Sequence, residues 1–199
     1  ISENLLFDDN KLKNAIFDED KGFGLRVIKD DSVGFAHSSE LTEDSLNKAI
    51  AAVKTLENGK RPKTELPKKT NRVLYSELNP LELVEFKSKV SLLKKINDYA
   101  RSKDQKVKQV SITLAGNFQN IEVLKGDGVF YTDSRPLVRL NINVSVEGKS
   151  GVENGSFGFG GRYMYNSIFD EKNWKNAVDT AYKQALIRLE AVPAPAGEQ

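Results

Sequence analysis

The sequence predicts an α+β protein, in which a large and mainly antiparallel sheet packs against about three helices. Apolar and polar residues alternate without interruption from 137 to 147, as in a strand that is buried on one face only. Further alternating segments are separated by turn residues, and the clearest turn is Gly126-Asp127-Gly128, where a tight hairpin with positive-φ glycines is expected. Three other segments carry apolar residues at helical spacing, so both kinds of element are expected.

The first 40 residues predict four short strands that are separated by turn-prone acidic segments. Their bounds are Glu3–Phe7, Lys11–Phe17, Gly22–Ile28 and Ser32–His37. A helix is then predicted from Thr42, whose hydroxyl can cap it, to a stop at Asn58-Gly59. Its buried stripe consists of Leu46, Ala49, Ile50, Val53 and Leu56. Residues 59–72 contain two prolines and six basic residues without periodicity, which predicts a mobile linker or loop.

A second helix is predicted to begin at Pro80, because Asn79 precedes it and Pro is favoured at the first helical position. Its buried stripe consists of Leu83, Phe86, Val90, Leu93, Ile96 and Ala100, and its solvent face carries Lys87, Lys94, Lys95 and Arg101. Strands are then expected at 109–114, 118–124, 137–147 and 152–165. The third helix, about Lys172 to Leu189, should bury Trp174, Val178, Ala181, Ala185 and Leu189.

Composition excludes several kinds of chemistry. The chain has no cysteine and a single histidine, His37, so disulfides, thiolate catalysis and an ordinary zinc site are not expected. No apolar run reaches the 18 or so residues of a membrane helix, and no signal peptide is visible, so a cytoplasmic location is expected. Residues 45–125 are basic, with 17 Lys or Arg against eight Asp or Glu. Because no aromatic residues interleave with these charges, nucleic-acid binding is expected to be weak at most.

Two features of the predicted sheet leave alternatives open. The glycines of the last strand, Gly155, Gly158, Gly160 and Gly161, indicate either a bulge that bends the sheet or a place where another backbone, such as an extended peptide, comes close. The charges Asp133, Arg135, Arg139 and Arg162 lie in or beside the sheet. They form either ion pairs on the sheet face or a surface that meets a substrate or partner.

Four blocks of sequence carry a resemblance to a known family. They are Gly24-Leu25-Arg26-Val27 with Gly34-Phe35-Ala36, Arg135-Pro136-Leu137-Val138-Arg139-Leu140, Gly158-Phe159-Gly160-Gly161-Arg162, and Val192-Pro193-Ala194-Pro195-Ala196-Gly197-Glu198. Their order and spacing resemble the N-terminal domain of the TldD/PmbA family of bacterial metallopeptidases, closest to the TldD side. The resemblance implies that residues 1–192 form this domain and that residues 193–199 begin a connector to a C-terminal metallopeptidase domain.

The resemblance also implies a function. Similar proteins bind zinc through a His-Glu-x-x-x-His helix in the C-terminal domain and cleave small or unfolded peptides, often together with a PmbA (TldE) subunit. That motif does not occur in these 199 residues, so the segment alone should be inactive and metal-free. Its expected role is to frame the substrate and to assemble with a PmbA/TldE-like subunit or with itself. The candidate contacts are Arg135, Arg139, Gly158, Gly160, Gly161 and Arg162. The alternative is a stand-alone binding module for nucleic acid or an acidic protein, in keeping with the family's historical association with DNA gyrase.

Overall fold

The computed structural model describes residues 1–53, 66–149, 151–192 and 197. The chain divides into two compact units, each with its own internal contacts. Unit one comprises residues 1–17, 69–121 and 132–199, and unit two comprises residues 18–68 and 122–131. The predicted α+β class is confirmed, because the described elements are mainly antiparallel strands together with four helices.

The described strands are β1 (Ser2–Asp8), β2 (Lys11–Asp18), β3 (Phe23–Lys29), β4 (Ser32–Ser38), β5 (Lys68–Lys69), β6 (Val107–Leu124), β7 (Phe130–Gly148) and β8 (Gly151–Gly161). The described helices are α1 (Glu43–Val53), α2 (Phe86–Ser102), α3 (Asn166–Phe169) and α4 (Glu171–Leu189). Six strands form one sheet in the order β2-β1-β6-β7-β5, and β8 pairs with β7. β3 and β4 form a separate two-stranded sheet.

β7 is the strand around which the core of unit one is built. Its alternation predicted one buried face, and the five inward side chains are all fully buried: Val138, Leu140, Ile142, Val144 and Val146. Each such burial contributes about 1.5–3 kcal/mol, which is why the pattern fixes the register. β8 runs antiparallel to it, with Val138 opposite Gly161 and Gly148 opposite Gly151. The outer face of β7 is therefore left for polar and charged side chains.

Helices α2 and α4 cover the inner face of the sheet. Their buried residues, among them Leu93 and Ile96 of α2 and Val178 and Ala181 of α4, belong to the same core cluster as β7. α4 lies so close to β8 that a Cβ on Gly155 would come within 2.0 Å of the Ala181 carbonyl oxygen. This glycine is therefore required by the approach of the helix backbone. None of the described helices is long and apolar enough to cross a membrane.

In unit two, α1 packs against the β3-β4 hairpin. The predicted cap is confirmed, since the Ser45 amide donates to the Thr42 Oγ1 atom at 3.2 Å. The predicted buried stripe is shifted: α1 buries Ser45, Ala49 and Val53, whereas Leu46 and Ile50 are exposed. Ser45 can be buried because its hydroxyl donates to the carbonyl of Glu40 at 2.5 Å. The predicted end of this helix lies outside the described residues.

The turn at 125–129 closes the β6-β7 hairpin. The amide of Lys125 donates to the Val129 carbonyl at 2.9 Å, and the amide of Gly128 donates to the Lys125 carbonyl at the same distance. Gly128 has φ +88°, whereas Gly126 does not take the positive φ that was expected. A single left-handed glycine is therefore enough for this turn.

Several predicted boundaries were wrong. The strands predicted at 109–114 and 118–124 are one continuous strand, β6. Gly116 lies within β6 and does not interrupt the strand. The glycine leaves room for the Tyr165 hydroxyl, which would lie 2.2 Å from a Cβ at position 116. β8 ends at Gly161 rather than at 165, and the short helix α3 follows it. Within the predicted linker at 59–72, residues Lys68–Lys69 form the two-residue strand β5.

The second helix also begins later than predicted, at Phe86 rather than Pro80. Asn79 uses its side chain to form a local turn, accepting from the Leu81 amide at 3.1 Å and donating to Glu82 at 2.8 Å. Such side-chain bonds compete with helix formation. Phe86 is consequently 54% exposed, and Lys89 of α2 is buried instead.

Candidate functional site

The outer face of β7 carries most of the charges that the sequence singled out. Asp133, Arg135 and Arg139 occupy alternate positions of the strand, so all three project from the side opposite the core. Leu137, between the two arginines, is 45% exposed. This face, together with the neighbouring residues Tyr75 and Arg162, forms the candidate site and is called the guanidinium face below.

Asp133 is the centre of the guanidinium face. Its side chain is only 8% exposed, and it accepts hydrogen bonds from Arg135 Nε at 2.5 Å and from the Tyr75 hydroxyl at 3.0 Å. The hydrogen bond from Arg135 holds the pKa of Asp133 below its usual value, and the same bond raises the pKa of Arg135. The carboxylate is therefore charged, and the Thr70 side chain adds a further hydrogen bond to it.

Tyr75 connects the second arginine to this pair. The guanidinium of Arg162 lies over the Tyr75 ring, 5.4 Å from its centroid, in a cation–π contact. Burial and the hydrogen bond to Asp133 raise the pKa of Tyr75, so the phenol stays neutral. Arg135 and Arg162 thus lie on either side of one Tyr75–Asp133 unit.

A strained turn positions Tyr75. The Leu74 amide donates to the Asn71 carbonyl at 3.1 Å, and the two central residues, Arg72 and Val73, have φ values of +50° and +63°. A left-handed conformation costs about 1–3 kcal/mol for each such residue, and a β-branched valine is especially unfavourable there. The buried side chain of Asn71 compensates, because it donates to the Tyr75 carbonyl and accepts from the amides of Leu74 and Tyr75.

A pocket of about 380 Å³ opens beside this turn. It is lined by Lys69, Asn71, Arg72, Val73, Tyr75 and Glu77. Lys69 is paired with Glu77, whereas Val73 is 96% exposed at the tip of the turn. The pocket therefore combines basic and apolar walls, with the Tyr75 side chain shared between it and the guanidinium face.

Arg139 and the glycines of β8 lie further along the sheet. Arg139 Nε donates to Asn141 Oδ1 at 2.9 Å, and that oxygen would lie 2.1 Å from a Cβ on Gly158. A Cβ on Gly160 would meet the Val138 carbonyl oxygen of β7 at 2.2 Å, and one on Gly161 would meet the Tyr163 ring at 2.5 Å. The neighbouring backbone therefore explains Gly160, whereas a Cβ on Gly158 or Gly161 would meet side-chain atoms. Contact with an external peptide at these positions stays a prediction.

His37 belongs to unit two, where it is exposed in β4 and stacks on Phe35, with ring centroids 5.8 Å apart. Among the described residues there is no group of three His, Cys, Asp or Glu that could hold a metal ion.

Sequence reasoning missed a buried polar cluster in unit one. The Lys89 ammonium lies 2.6 Å from Glu3 Oε1, which also accepts from the Tyr165 hydroxyl at 2.6 Å. Lys89 further donates to the Leu81 carbonyl at 3.0 Å. The only sequence signal was Glu3 at an inward position of β1, which alternation alone does not distinguish from an edge charge.

Models of a known protein family, and known proteins related in sequence, match almost the entire chain. The family model described as the PmbA/TldA metallopeptidase central domain matches residues 79–189, and domain 1 of the same family matches residues 1–56. A metalloprotease TldD homolog from Haemophilus influenzae is 34% identical over 203 residues, which cover 98% of this chain and 42% of that protein. The chain thus spans about two fifths of the length of this curated relative.

Solved structures share the fold. A protein from Thermotoga maritima, described as a candidate modulator of a DNA gyrase, superposes with a TM-score of 0.76 at 16% identity, over 98% of this chain and 44% of its own. TldE from Thermococcus kodakarensis superposes with a TM-score of 0.57 at 20% identity, over 89% of this chain and 41% of its own. At these identities the likeness concerns the fold alone.

Proposed function

Because the chain belongs to the PmbA/TldD metallopeptidase family, we propose that it is the non-catalytic N-terminal part of a zinc-dependent peptidase. In this role residues 1–192 hold the peptide substrate beside a catalytic domain that the longer protein supplies. Small or unfolded peptides are the expected substrates. A cytoplasmic location is part of the same proposal.

The residues of this chain that the structure describes do not fit the zinc that the proposal assigns to the parent enzyme. A zinc site needs three or four clustered His, Cys or carboxylate ligands, and the described residues offer no such cluster. Zinc supplies a Lewis acid and an activated water when a protein holds it. This chain's own part is confined to binding and orienting the peptide.

The guanidinium face is the observation that supports a role in substrate binding. It is a polar surface organised by a buried carboxylate, next to a pocket of about 380 Å³ and a strained turn. Strained backbone of this kind clusters at binding sites, although here the side chain of Asn71 also stabilises it. The runner-up interpretation, in which the charges merely pair with one another, explains Asp133 and Arg135 but not the pocket.

We further propose that the chain assembles with a PmbA/TldE-like subunit or with a second copy of itself. The likeness of its fold to that of TldE supports an arrangement in which two similar domains meet. Analytical ultracentrifugation of the full-length protein, alone and with such a subunit, measures this directly. A full-length protein that cleaves peptides as a monomer contradicts the assembly role.

The framing role is tested by peptide cleavage with the full-length protein. Replacing Arg135 by glutamine should raise KM about tenfold, while kcat and zinc content stay within twofold, because the residue binds substrate and performs no bond-making step. Lys95→Gln, an equal charge change on the exposed face of α2, is the matched control. Equal kinetics for both variants would remove the guanidinium face from substrate binding.

Two further results would overturn the proposal more broadly. Zinc-dependent cleavage by the 199-residue chain itself would show that this part is catalytic. A single-stranded oligonucleotide that binds the chain below micromolar Kd at about 200 mM salt would favour the nucleic-acid module instead, since weak phosphate contacts do not survive that ionic strength.

Gly160→Val is not a usable test of peptide approach. The added Cβ would overlap the Val138 carbonyl of β7 at 2.2 Å, so the variant loses stability whether or not a peptide binds. The arginine variants avoid this problem, because their side chains project away from the core.

A further inference from the structure

The positive charges of the guanidinium face exceed its negative charges. Two of its three guanidiniums belong to one connected group, in which Arg135 bonds the Asp133 carboxylate and Arg162 lies over the neutral Tyr75 that is bonded to the same carboxylate. Over the described part of the chain, Asp133 is the only carboxylate within ion-pair distance of Arg135, and none lies within that distance of Arg162. Arg135, Arg162 and Asp133 together therefore carry one unmatched positive charge.

The geometry of the group is fixed before any ligand arrives. Arg135 is held through Nε by a carboxylate that is only 8% exposed, while 39% of the arginine side chain remains accessible. Arg162 is exposed and rests on the ring of Tyr75, whose hydroxyl is bound to the same carboxylate. Asp133 bonds Arg135 directly and is connected to Arg162 only through Tyr75, so part of the rotamer entropy of the two arginines is lost before binding, which favours affinity.

We propose that Arg135 and Arg162 form a recognition site for a carboxylate of a peptide ligand. Planar guanidiniums present paired N–H donors that match a carboxylate, and such charge-assisted hydrogen bonds are the strong ones. This inference rests on the proposed function, and it goes further by naming the chemical group that the site selects. It favours peptides with a free C-terminus or an acidic side chain over neutral ones.

The adjoining pocket gives such a peptide a place for its neighbouring residue. Tyr75 belongs to the guanidinium face and also lines the pocket of about 380 Å³, to which Arg72 and Val73 contribute as well. A peptide anchored by its carboxylate on one side of Tyr75 can place a side chain on the other.

Direct binding to the 199-residue chain tests the inference. The probes are acetyl-Ala-Ala-Leu as the free acid, the same peptide as its C-terminal amide, and acetyl-Ala-Glu-Leu amide, each titrated by NMR with the Arg Nε–Hε signals as reporters. The free acid should bind at least fivefold more tightly than the amide and should shift the Arg135 and Arg162 signals. Comparison with the glutamate peptide tells a terminal carboxylate from a side-chain one.

Variants of Arg162 distinguish the contribution of the planar guanidinium geometry from that of the positive charge. Arg162→Gln should weaken binding of the free acid about five- to tenfold, as expected for loss of one charge-assisted contact. Arg162→Lys keeps the charge but loses the planar fork, so it should recover only part of the affinity. Lys95→Gln is the control for net charge and should leave binding within twofold.

Three results would overturn the inference. They are equal binding of acid and amide, an equal loss for Arg162→Gln and Lys95→Gln, and inorganic phosphate that binds more tightly than any of the peptides. None of these removes the framing role, which is judged separately by cleavage of a peptide amide by the full-length protein. Conversely, if the full-length protein binds the carboxylate peptide while Arg135→Gln leaves KM unchanged, that result would support the carboxylate site and contradict the framing role.

Discussion

Replacing Lys89 by methionine is expected to lower the free energy of unfolding of unit one by about 3–5 kcal/mol, the usual cost of removing one partner from a buried ion pair. The side chains of Lys89 and Glu3 are 3% and 8% exposed, and their charged atoms lie 2.6 Å apart. Without the ammonium, the Glu3 carboxylate keeps only the Tyr165 hydroxyl as a partner, and the Leu81 carbonyl loses its donor. The buried charge is then uncompensated.

Thermal unfolding followed by circular dichroism measures this effect. For a chain of this size, about 3–5 kcal/mol corresponds to roughly 6–20 °C in Tm. Lys95→Met, on the exposed face of the same helix, is the control and should shift Tm by no more than a degree or two. Adding Glu3→Gln to Lys89→Met should recover part of the loss, because the uncompensated charge disappears. A Lys89→Met variant as stable as the control, or a double variant no better than the single one, would refute this reasoning.

Three further outcomes are expected. The pKa of Asp133 is lowered in the folded protein, so the stability that the Asp133 carboxylate contributes is complete above about pH 4 and is lost as the pH falls through the lowered value. The free energy of urea unfolding of Asp133→Asn should therefore depend less on pH in this range than that of the parent protein. An unchanged pH dependence would contradict this expectation. Gly155→Ala should destabilise unit one by about 1–3 kcal/mol or more, since the added Cβ would lie 2.0 Å from the backbone of α4. Gly126→Ala is the control and should be tolerated, because nothing lies within 4 Å of a Cβ there. Equal Tm values for the two variants would exclude the close approach of the helix. Thr42→Ala should cost about 0.5–2 kcal/mol through loss of the α1 cap, and hydrogen exchange at the Ser45 amide should accelerate.

The sequence predicted the strands well because burial on one face leaves a period of two that no other structure produces. β7 is the clearest case, with five alternate residues fully buried as expected. The α1 and α2 stripes were predicted less well. In both helices a polar residue occupies an inward position, because hydrogen bonds satisfy it there: a local one to the Glu40 carbonyl for Ser45, and a tertiary one to Glu3 for Lys89. The spacing of hydrophobic residues gives no indication that a polar residue takes a buried position.

The candidate site was only partly visible in the sequence. Asp133, Arg135 and Arg139 could be placed on one sheet face from their spacing alone. Tyr75 could not, because it lies 58 positions from Asp133 and reaches it through a turn whose left-handed residues, Arg72 and Val73, carry no sequence signal for that conformation.

The sequence by itself therefore determined the α+β class, the buried faces of the alternating strands, the family and the set of arginines near the sheet. Each of these depends on local periodicity or on residue order along the chain. The tertiary structure alone decided which of those arginines share a partner, why Gly155 and Gly160 have no side chain, and that Lys89 and Glu3 meet inside the core. These depend on contacts between distant segments, whose distances are fixed only when the helices and the sheet pack together.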